Sequence, residues 1–300
     1  MPYRSSAPRS ARTAMPAVLA GLALLITACG SSSAAEPAAA KAYSADVRDV
    51  ALEVGGHQRS YLLQPARRLA PGERSALVVV LHQEGGTPRG VAAETDLAAL
   101  RARGATLAYP AGVDRSWDAG ACCGPPKAAG IDDIAFLEAV FADAAEQAPV
   151  DPARTALVGY SSGGMLTYRY ACARPGRLAA AVVVSGSLES PCGQAITTPD
   201  VLALHGKADG TIGLDRPVFI EALGLAPRPV VSSLGIFTRS AGCPAAPRTT
   251  LLPDAEVRRW VGCRGGDVEA MLVERAGHGW AKLDASRRTS EFLSAHLMIG

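Results

Sequence analysis

The stretch Ala156-Leu-Val-Gly-Tyr-Ser-Ser-Gly-Gly-Met165, running on through Leu166 to Cys172, narrows the possible folds more than any other part of the chain. An apolar run with strand character, Thr155 to Val158, meets Gly159-Tyr160-Ser161-Ser162-Gly163, and a helix-like segment follows. Strand, sharp turn and helix in that order leave Ser161 bare at the tip of a bend. A serine hydroxyl is a poor nucleophile at its ordinary pKa, so it must stand where a base can reach it and where donors lie close to a developing oxyanion. Gly159 and Gly163 supply the room, because a side chain at either would collide where strand and helix cross. Ser161 itself is expected in a strained backbone conformation. Ser162 opens the helix, so its N–H and the helix dipole point to where an oxyanion would form. In a chain with 31 glycines the five-residue pattern is weak by itself, and the reading depends on partners elsewhere.

Those partners lie on apolar runs that alternate with helical periodicity, which reads as one α/β domain over residues 47–300, a mostly parallel central sheet flanked by helices. Val47 to Gln64 reads as an edge hairpin turned at Gly55-Gly56, with His57 on the surface beside the turn. Ala76 to Leu81 is apolar throughout, as in a strand buried on both faces. It leads into His82-Gln83-Glu84-Gly85-Gly86, the loop from which a second oxyanion N–H would come; Gln83 is the candidate donor, with His82 shaping the loop. A helix is expected over Val91 to Arg103 and a strand over Thr106 to Pro110. A long loop, Ala111 to Gly130, carries Trp117 and Cys122-Cys123-Gly124, and a helix capped by Asp132 runs to Gln147.

Beyond the serine turn, strands are expected over Ala179 to Val184 and Val201 to Leu204, the second delivering His205-Gly206-Lys207-Ala208-Asp209. A carboxylate just past a strand's C-terminal end is placed to hold a histidine in one tautomer; Asp209 is the candidate, with Asp215 its competitor. Residues 216–241 read as mixed helix and loop, a small lid. Two further strands, Val257 to Cys263 and Val268 to Glu274, run into Ala276-Gly277-His278-Gly279-Trp280. His278, flanked by glycines and followed by a closing helix from Ser286 to Leu297, can swing toward the serine, whereas His296 belongs to that helix. The order Ser161, Asp209, His278 is that of the α/β-hydrolase fold.

Residues 1–29 do not read as part of the domain. Arg4, Arg9 and Arg12 precede an apolar stretch, Ala17 to Ala28, that is too short for a stable bilayer anchor. Ile26-Thr27-Ala28-Cys29 resembles a bacterial lipobox, which implies cleavage before a lipid-modified Cys29 and a protein held at the outer face of the cell membrane; ordinary secretion is the alternative. Residues 30–46, rich in Ser and Ala, read as a flexible tether. A formal net charge of +2, with both signs mixed along the chain, gives no footprint for nucleic acid. Seven cysteines less Cys29 leave six, an even set suited to disulfides in an exported chain, while the paired C-x-x-C spacing of a zinc site is absent and no metal is expected. The expected pairs are Cys243 with Cys263, closing a hairpin-like segment, and Cys172 with Cys192; the adjacent Cys122 and Cys123 are then either bonded to each other or free.

Taken together, Leu81-His82 through Gly85-Gly86, Ser116-Trp117-Asp118-Ala119-Gly120-Ala121-Cys122-Cys123-Gly124, Asp132-Asp133 to Phe136-Leu137, Val150-Asp151-Pro152, the serine turn, His205-Gly206-x-x-Asp209 and Gly277-His278-Gly279-Trp280 resemble the polyhydroxybutyrate depolymerase and feruloyl esterase family of secreted esterases. The likeness runs over nearly the whole domain. It implies an α/β-hydrolase esterase without metal or cofactor, with Ser161 as nucleophile, Asp209 as acid, His278 as base, and a disulfide near Cys243 and Cys263. Ser162 and Gln83 would form the oxyanion hole, and His82, Trp117 and Trp280 are candidates for the substrate pocket. Two positions depart from the family's pattern: Gln83 stands where it usually has glycine, and Gly279 and Ala281 stand for a threonine and a proline around Trp280. Polymer-degrading members of the family tend to carry a substrate-binding module, and none is read in these 300 residues, so the resemblance leads us to expect a soluble or small cell-envelope ester rather than solid polymer. The competing expectations are an acyltransferase acting on an envelope sugar or lipid, and a surface lipoprotein that keeps the scaffold only for binding.

Overall fold

A computed structural model describes residues 46–193 and 197–300; the expected leader, Cys29 and the tether up to residue 45 lie outside the described residues. The elements in chain order are β1 (Arg48–Val54), β2 (His57–Gln64), β3 (Ser75–Leu81), α1 (Pro88–Thr95), β4 (Ala105–Pro110), α2 (Gly124–Ala129), α3 (Asp133–Gln147), β5 (Val150–Tyr160), α4 (Ser162–Ala173), β6 (Ala180–Val184), β7 (Asp200–Gly206), α5 (Val230–Ser240), β8 (Arg248–Leu251), β9 (Ala255–Trp260), β10 (Val268–Val273) and α6 (Ala285–Leu297). The strands form one sheet in the order β1-β2-β4-β3-β5-β6-β7-β10-β9-β8. Its centre, from β4 to β10, is parallel throughout. Antiparallel strands extend it on both sides. This is the α/β-hydrolase architecture.

The apolar runs explain the layers. Every residue of β3 and of β6 is buried, and because successive side chains point to opposite faces, each run feeds two cores at once. Leu77, Val79 and Leu81 pack with Phe136 and Leu137 of α3, Met165 of α4 and Leu234 and Phe237 of α5. Val78 and Val80 face the other way, onto Val91 of α1 and Leu293 and Leu297 of α6. β1 instead alternates half-buried and exposed residues, as befits an edge.

Four departures from the sequence reading have local causes. The helix expected from Val91 to Arg103 is broken: α1 starts earlier, with Thr87 accepting from the Gly90 N–H and Pro88 in its first turn, and stops at Asp96, whose φ of 48° reverses the chain into a 3₁₀ turn over Leu97–Arg103. The strand expected to reach Cys263 ends at Trp260. β8 had no apolar signal, because all four of its residues are exposed and it is held only by pairing along β9. The expected lid in 216–241 contains a core helix: α5 turns Leu234 and Phe237 inward, while the segment before it, with a 3₁₀ turn at Glu221–Leu223, lays the half-buried Leu223 and Leu225 against the same core. All six cysteines among the described residues are paired, Cys172 with Cys192, Cys243 with Cys263, and Cys122 with its neighbour Cys123.

Candidate active site

Because the central strands are parallel, the loops after β3, β5, β7 and β10 all leave at the same edge of the sheet, and each carries a candidate residue. Ser161 sits between β5 and α4 with φ 54° and ψ −117°, a conformation costly for a side-chain-bearing residue. Its N–H donates to the Val184 carbonyl (2.9 Å) and its carbonyl accepts from the Met165 N–H (3.0 Å), so both sides of the bend are tied. The flanking glycines are required by contact: a Cβ on Gly159 would lie 2.1 Å from the Gly163 carbonyl oxygen, and one on Gly163 would lie 2.6 Å from the carbonyl oxygens of Leu81 and His82.

Three side chains from three strand ends converge on the bend. The Nε2 of His278 lies 3.0 Å from the Ser161 Oγ, and its Nδ1 lies 2.9 Å from the Asp209 Oδ2. The other oxygen of Asp209 accepts from the N–H groups of Thr211 (2.8 Å) and Ile212 (3.0 Å), so the carboxylate is aimed by backbone. An ionised carboxylate can only accept, so Nδ1 of His278 carries the proton and Nε2 offers a lone pair to the serine hydroxyl. Burial opposes ionisation of Asp209, yet the hydrogen bond and charge of His278, the charge of His205 and the Ile212 N–H together hold its carboxyl below the usual carboxylate range. The two loops are also joined to each other: Ala208 N–H donates to the Ala276 carbonyl (2.9 Å), and Gly206 passes so close to Ala276 that a Cβ there would sit 2.2 Å from its oxygen. Asp215, the competing acid, is exposed. His57 is exposed on β2, and His296 of α6 is paired with Asp200 of β7 (2.9 Å).

Beside the serine, the N–H of Ser162 at the start of α4 and that of Gln83 after β3 have no hydrogen-bond acceptor among the described residues. His82, Trp117 and Trp280 are located differently from the pocket wall expected of them. Their side chains are 0%, 0% and 1% exposed, so they have almost no surface to offer a ligand. Trp280 donates through Nε1 to the Ser286 Oγ (2.8 Å) and meets Tyr160 edge-on inside the core. Trp117 donates through Nε1 to the His82 carbonyl (2.8 Å), with its ring 4.6 Å from the imidazole. These are large side chains whose polar atoms find partners indoors, a pattern that periodicity cannot separate from a pocket lining.

His82 is fixed by its own bonds. The Gly112 N–H donates to Nε2 (3.0 Å), so the proton resides on Nδ1, which donates to the Gln83 carbonyl (2.7 Å). Burial pushes its pKa down from 6.5 to about 4. A histidine that stays neutral when folded but takes up a proton when unfolded weakens the fold as pH drops: its contribution is whole above pH 6.5 and is lost progressively down to about pH 4. The loss amounts to about 3 kcal/mol. Thermal melts from pH 7.5 to pH 4 should show a falling midpoint, with a shallower slope in His82→Asn; an unchanged slope in that variant contradicts the assignment.

Two neighbours of the triad had gone without a role in the sequence. His205, the first residue of the H-G-x-x-D stretch, is 1% exposed; its Nε2 lies 2.8 Å from the Ile212 carbonyl and 3.3 Å from Asp209 Oδ2. Its four-residue spacing from Asp209 was the available signal. Tyr160, the variable residue of the serine turn, lays its ring against His278 at 5.7 Å. Glycines on both sides would let His278 swing, and this ring packs against it while Asp209 holds its Nδ1. Among the described residues no cluster of side chains could hold a metal ion.

No protein-family model matches the chain. In sequence it is 31% identical over 259 residues to a protein of Nocardia uniformis subsp. tsuyamanensis named "Putative esterase NocK", an alignment covering 79% of this chain and 75% of that one. It is 28% identical over 166 residues to feruloyl esterase C of Emericella nidulans, covering 53% of this chain and 58% of that protein. Among solved structures it is similar to the acetyl xylan esterase from Aspergillus awamori, with a TM-score of 0.63 at 17% identity, over 82% of this chain and 99% of that one.

Proposed function

Because this chain belongs to the feruloyl esterase-like family of α/β-hydrolases and is a carboxylic ester hydrolase, we propose that it cleaves its esters by a two-step acyl transfer through Ser161, His278 and Asp209. The observation that carries the reading is the unbroken chain of hydrogen bonds from the Ser161 Oγ through both ring nitrogens of His278 to Asp209, at 3.0 and 2.9 Å. As Oγ attacks the carbonyl carbon, its proton passes to Nε2 of His278, and Asp209 stabilises the imidazolium. The negative charge gathering on the carbonyl oxygen is met by the N–H groups of Ser162 and Gln83. Collapse of this intermediate expels the alcohol, which takes the proton from Nε2 and leaves an acyl-serine. Water, giving a proton to the same nitrogen, then releases the acid and restores the serine.

The substrate is an ester of small or soluble type, and export with a lipid on Cys29 is part of the same proposal; the basic and apolar pattern of residues 1–29 supports it. A panel of p-nitrophenyl and aromatic acyl esters, run alongside a fluorophosphonate probe, tests the reading. Labelling of the wild type at Ser161 together with turnover is expected. Absence of both would leave only a binding scaffold, and product formed on an added alcohol acceptor in preference to water would make the enzyme an acyltransferase.

A further inference from the structure

An oxyanion donor works only if it already points at the oxygen before charge develops there, so the question is what aims the N–H of Gln83. A peptide unit is planar and trans, with its carbonyl and its N–H pointing in opposite directions. Whatever holds the His82 carbonyl therefore aims the Gln83 N–H. The group that holds it is the indole of Trp117, through the 2.8 Å bond from Nε1. The geometry points to Trp117 as a positioning residue of the reaction, a buried clamp that fixes the His82–Gln83 peptide with its N–H facing the acyl oxygen. This rests on the reading of Ser161 as nucleophile and Gln83 as donor given above.

Several features make the indole more than a core filler. The same carbonyl lies directly against the serine bend, since a Cβ on Gly163 would come within 2.6 Å of it, so a rotation of this peptide is felt at the site itself. The indole packs at a tilt of 34° against the imidazole of His82, whose Nε2 is held in turn by the Gly112 N–H. The rest of the 83–86 loop is drawn to the same side: Gly85 N–H donates to the Arg115 carbonyl (2.8 Å) and Ser116 Oγ to Glu84 (2.8 Å).

The clamp also has a rigid base. Cys123 N–H donates to the Trp117 carbonyl (2.9 Å), and Asp118 N–H donates to Asp133 (2.7 Å). Asp133 is fully buried and paired with Arg59 (2.7 Å), whose guanidinium lies over Phe136. A charge pair sealed in this way does not give ground easily, because moving either partner would strand the other. The loop after β4 thus acts as a buttress standing on α3, and Trp117 is the residue through which it holds the His82–Gln83 peptide.

Trp117→Phe removes the donor and keeps most of the ring. The stricter variant places 3-benzothienylalanine at 117, which exchanges the indole N–H for sulfur and leaves size and stacking nearly unchanged. Losing the aim of one donor, rather than the donor itself, should lower kcat by about 10- to 100-fold with KM within about twofold. The affinity for a trifluoromethyl ketone, whose adduct carries the oxyanion, should fall by the same factor. The melting temperature of the sulfur variant reports any loss of packing separately. Unchanged kcat and ketone affinity in a folded variant overturn the assignment, and so does a rise in KM with kcat intact, or a kcat loss that leaves ketone affinity untouched. If the wild type itself is neither active nor labelled by fluorophosphonate, the nucleophile reading fails, an outcome distinct from failure of the clamp alone.

Discussion

Ser161→Ala lowers kcat on a carboxylic ester by about 10⁵- to 10⁶-fold, with the melting temperature nearly unchanged. The size follows from the chemistry: without Oγ there is no acyl-enzyme, and what remains is the modest help that oxyanion donors and orientation give to direct attack by water. The fold does not notice, because the bend is held by backbone bonds from Ser161 N–H to Val184 and from Met165 N–H to Ser161, which alanine retains. A companion variant, Ser161→Gly, should be equally inactive yet melt higher than the alanine variant by the equivalent of about 1 kcal/mol, since only glycine adopts φ near 54° without strain. Steady-state kinetics, labelling by fluorophosphonate and thermal melts check all three statements. An alanine variant with more than a hundredth of wild-type turnover, after contaminating activity is excluded, would remove the serine from the mechanism.

The second large effect is on stability. Gly159→Ala should cost about 4 to 5 kcal/mol, a large share of the about 5 to 15 kcal/mol by which domains are stable. The new methyl group would meet the Gly163 oxygen at 2.1 Å and its carbonyl carbon at 2.4 Å. These are backbone atoms of the first turn of α4, so the clash cannot be relieved by a rotamer and has to be relieved by moving strand and helix apart. Such a shift carries Ser161 with it, and the fraction that still folds should show a depressed kcat. Gly55→Ala, in the hairpin turn where a Cβ would meet nothing within 4 Å, is the comparison: it carries only the strain of φ 60°, about 1 kcal/mol. Denaturant melts of the pair measure the difference, and near-equal midpoints would show that the crossing is looser than the contacts imply.

How much of this was legible beforehand depended on whether a residue's role is written in spacing or in direction. The serine bend was readable because two glycines four apart stand between an apolar strand and a helix, and because an acid and a histidine follow in the right order after later strands. Asp209 and His278 were readable because their positions after strands fix the end of the sheet at which they emerge. An even cysteine count pointed to disulfides, and the hairpin-like segment together with the family resemblance pointed to Cys243 with Cys263; count alone does not choose among the other pairings, and the bond between Cys122 and Cys123 is closed only by the structure. Trp117 was not readable in the same way: a tryptophan in a long loop can face a ligand or turn back into the core, and the choice is made by the His82 carbonyl, a backbone atom the sequence does not advertise. β8 was hidden because its four exposed residues carry no alternation. The break at Asp96 interrupts a run whose apolar spacing continues beyond it, so periodicity passed over it.

Asp209 is anchored by the N–H groups of the two residues that closely follow it, Thr211 and Ile212, before the chain leaves toward α5. Everything from Gly213 to Arg228 therefore lies downstream of the bonds that aim this carboxylate, with Phe219 two-thirds exposed. Replacements within that span leave untouched the two backbone bonds that aim the Asp209 carboxylate.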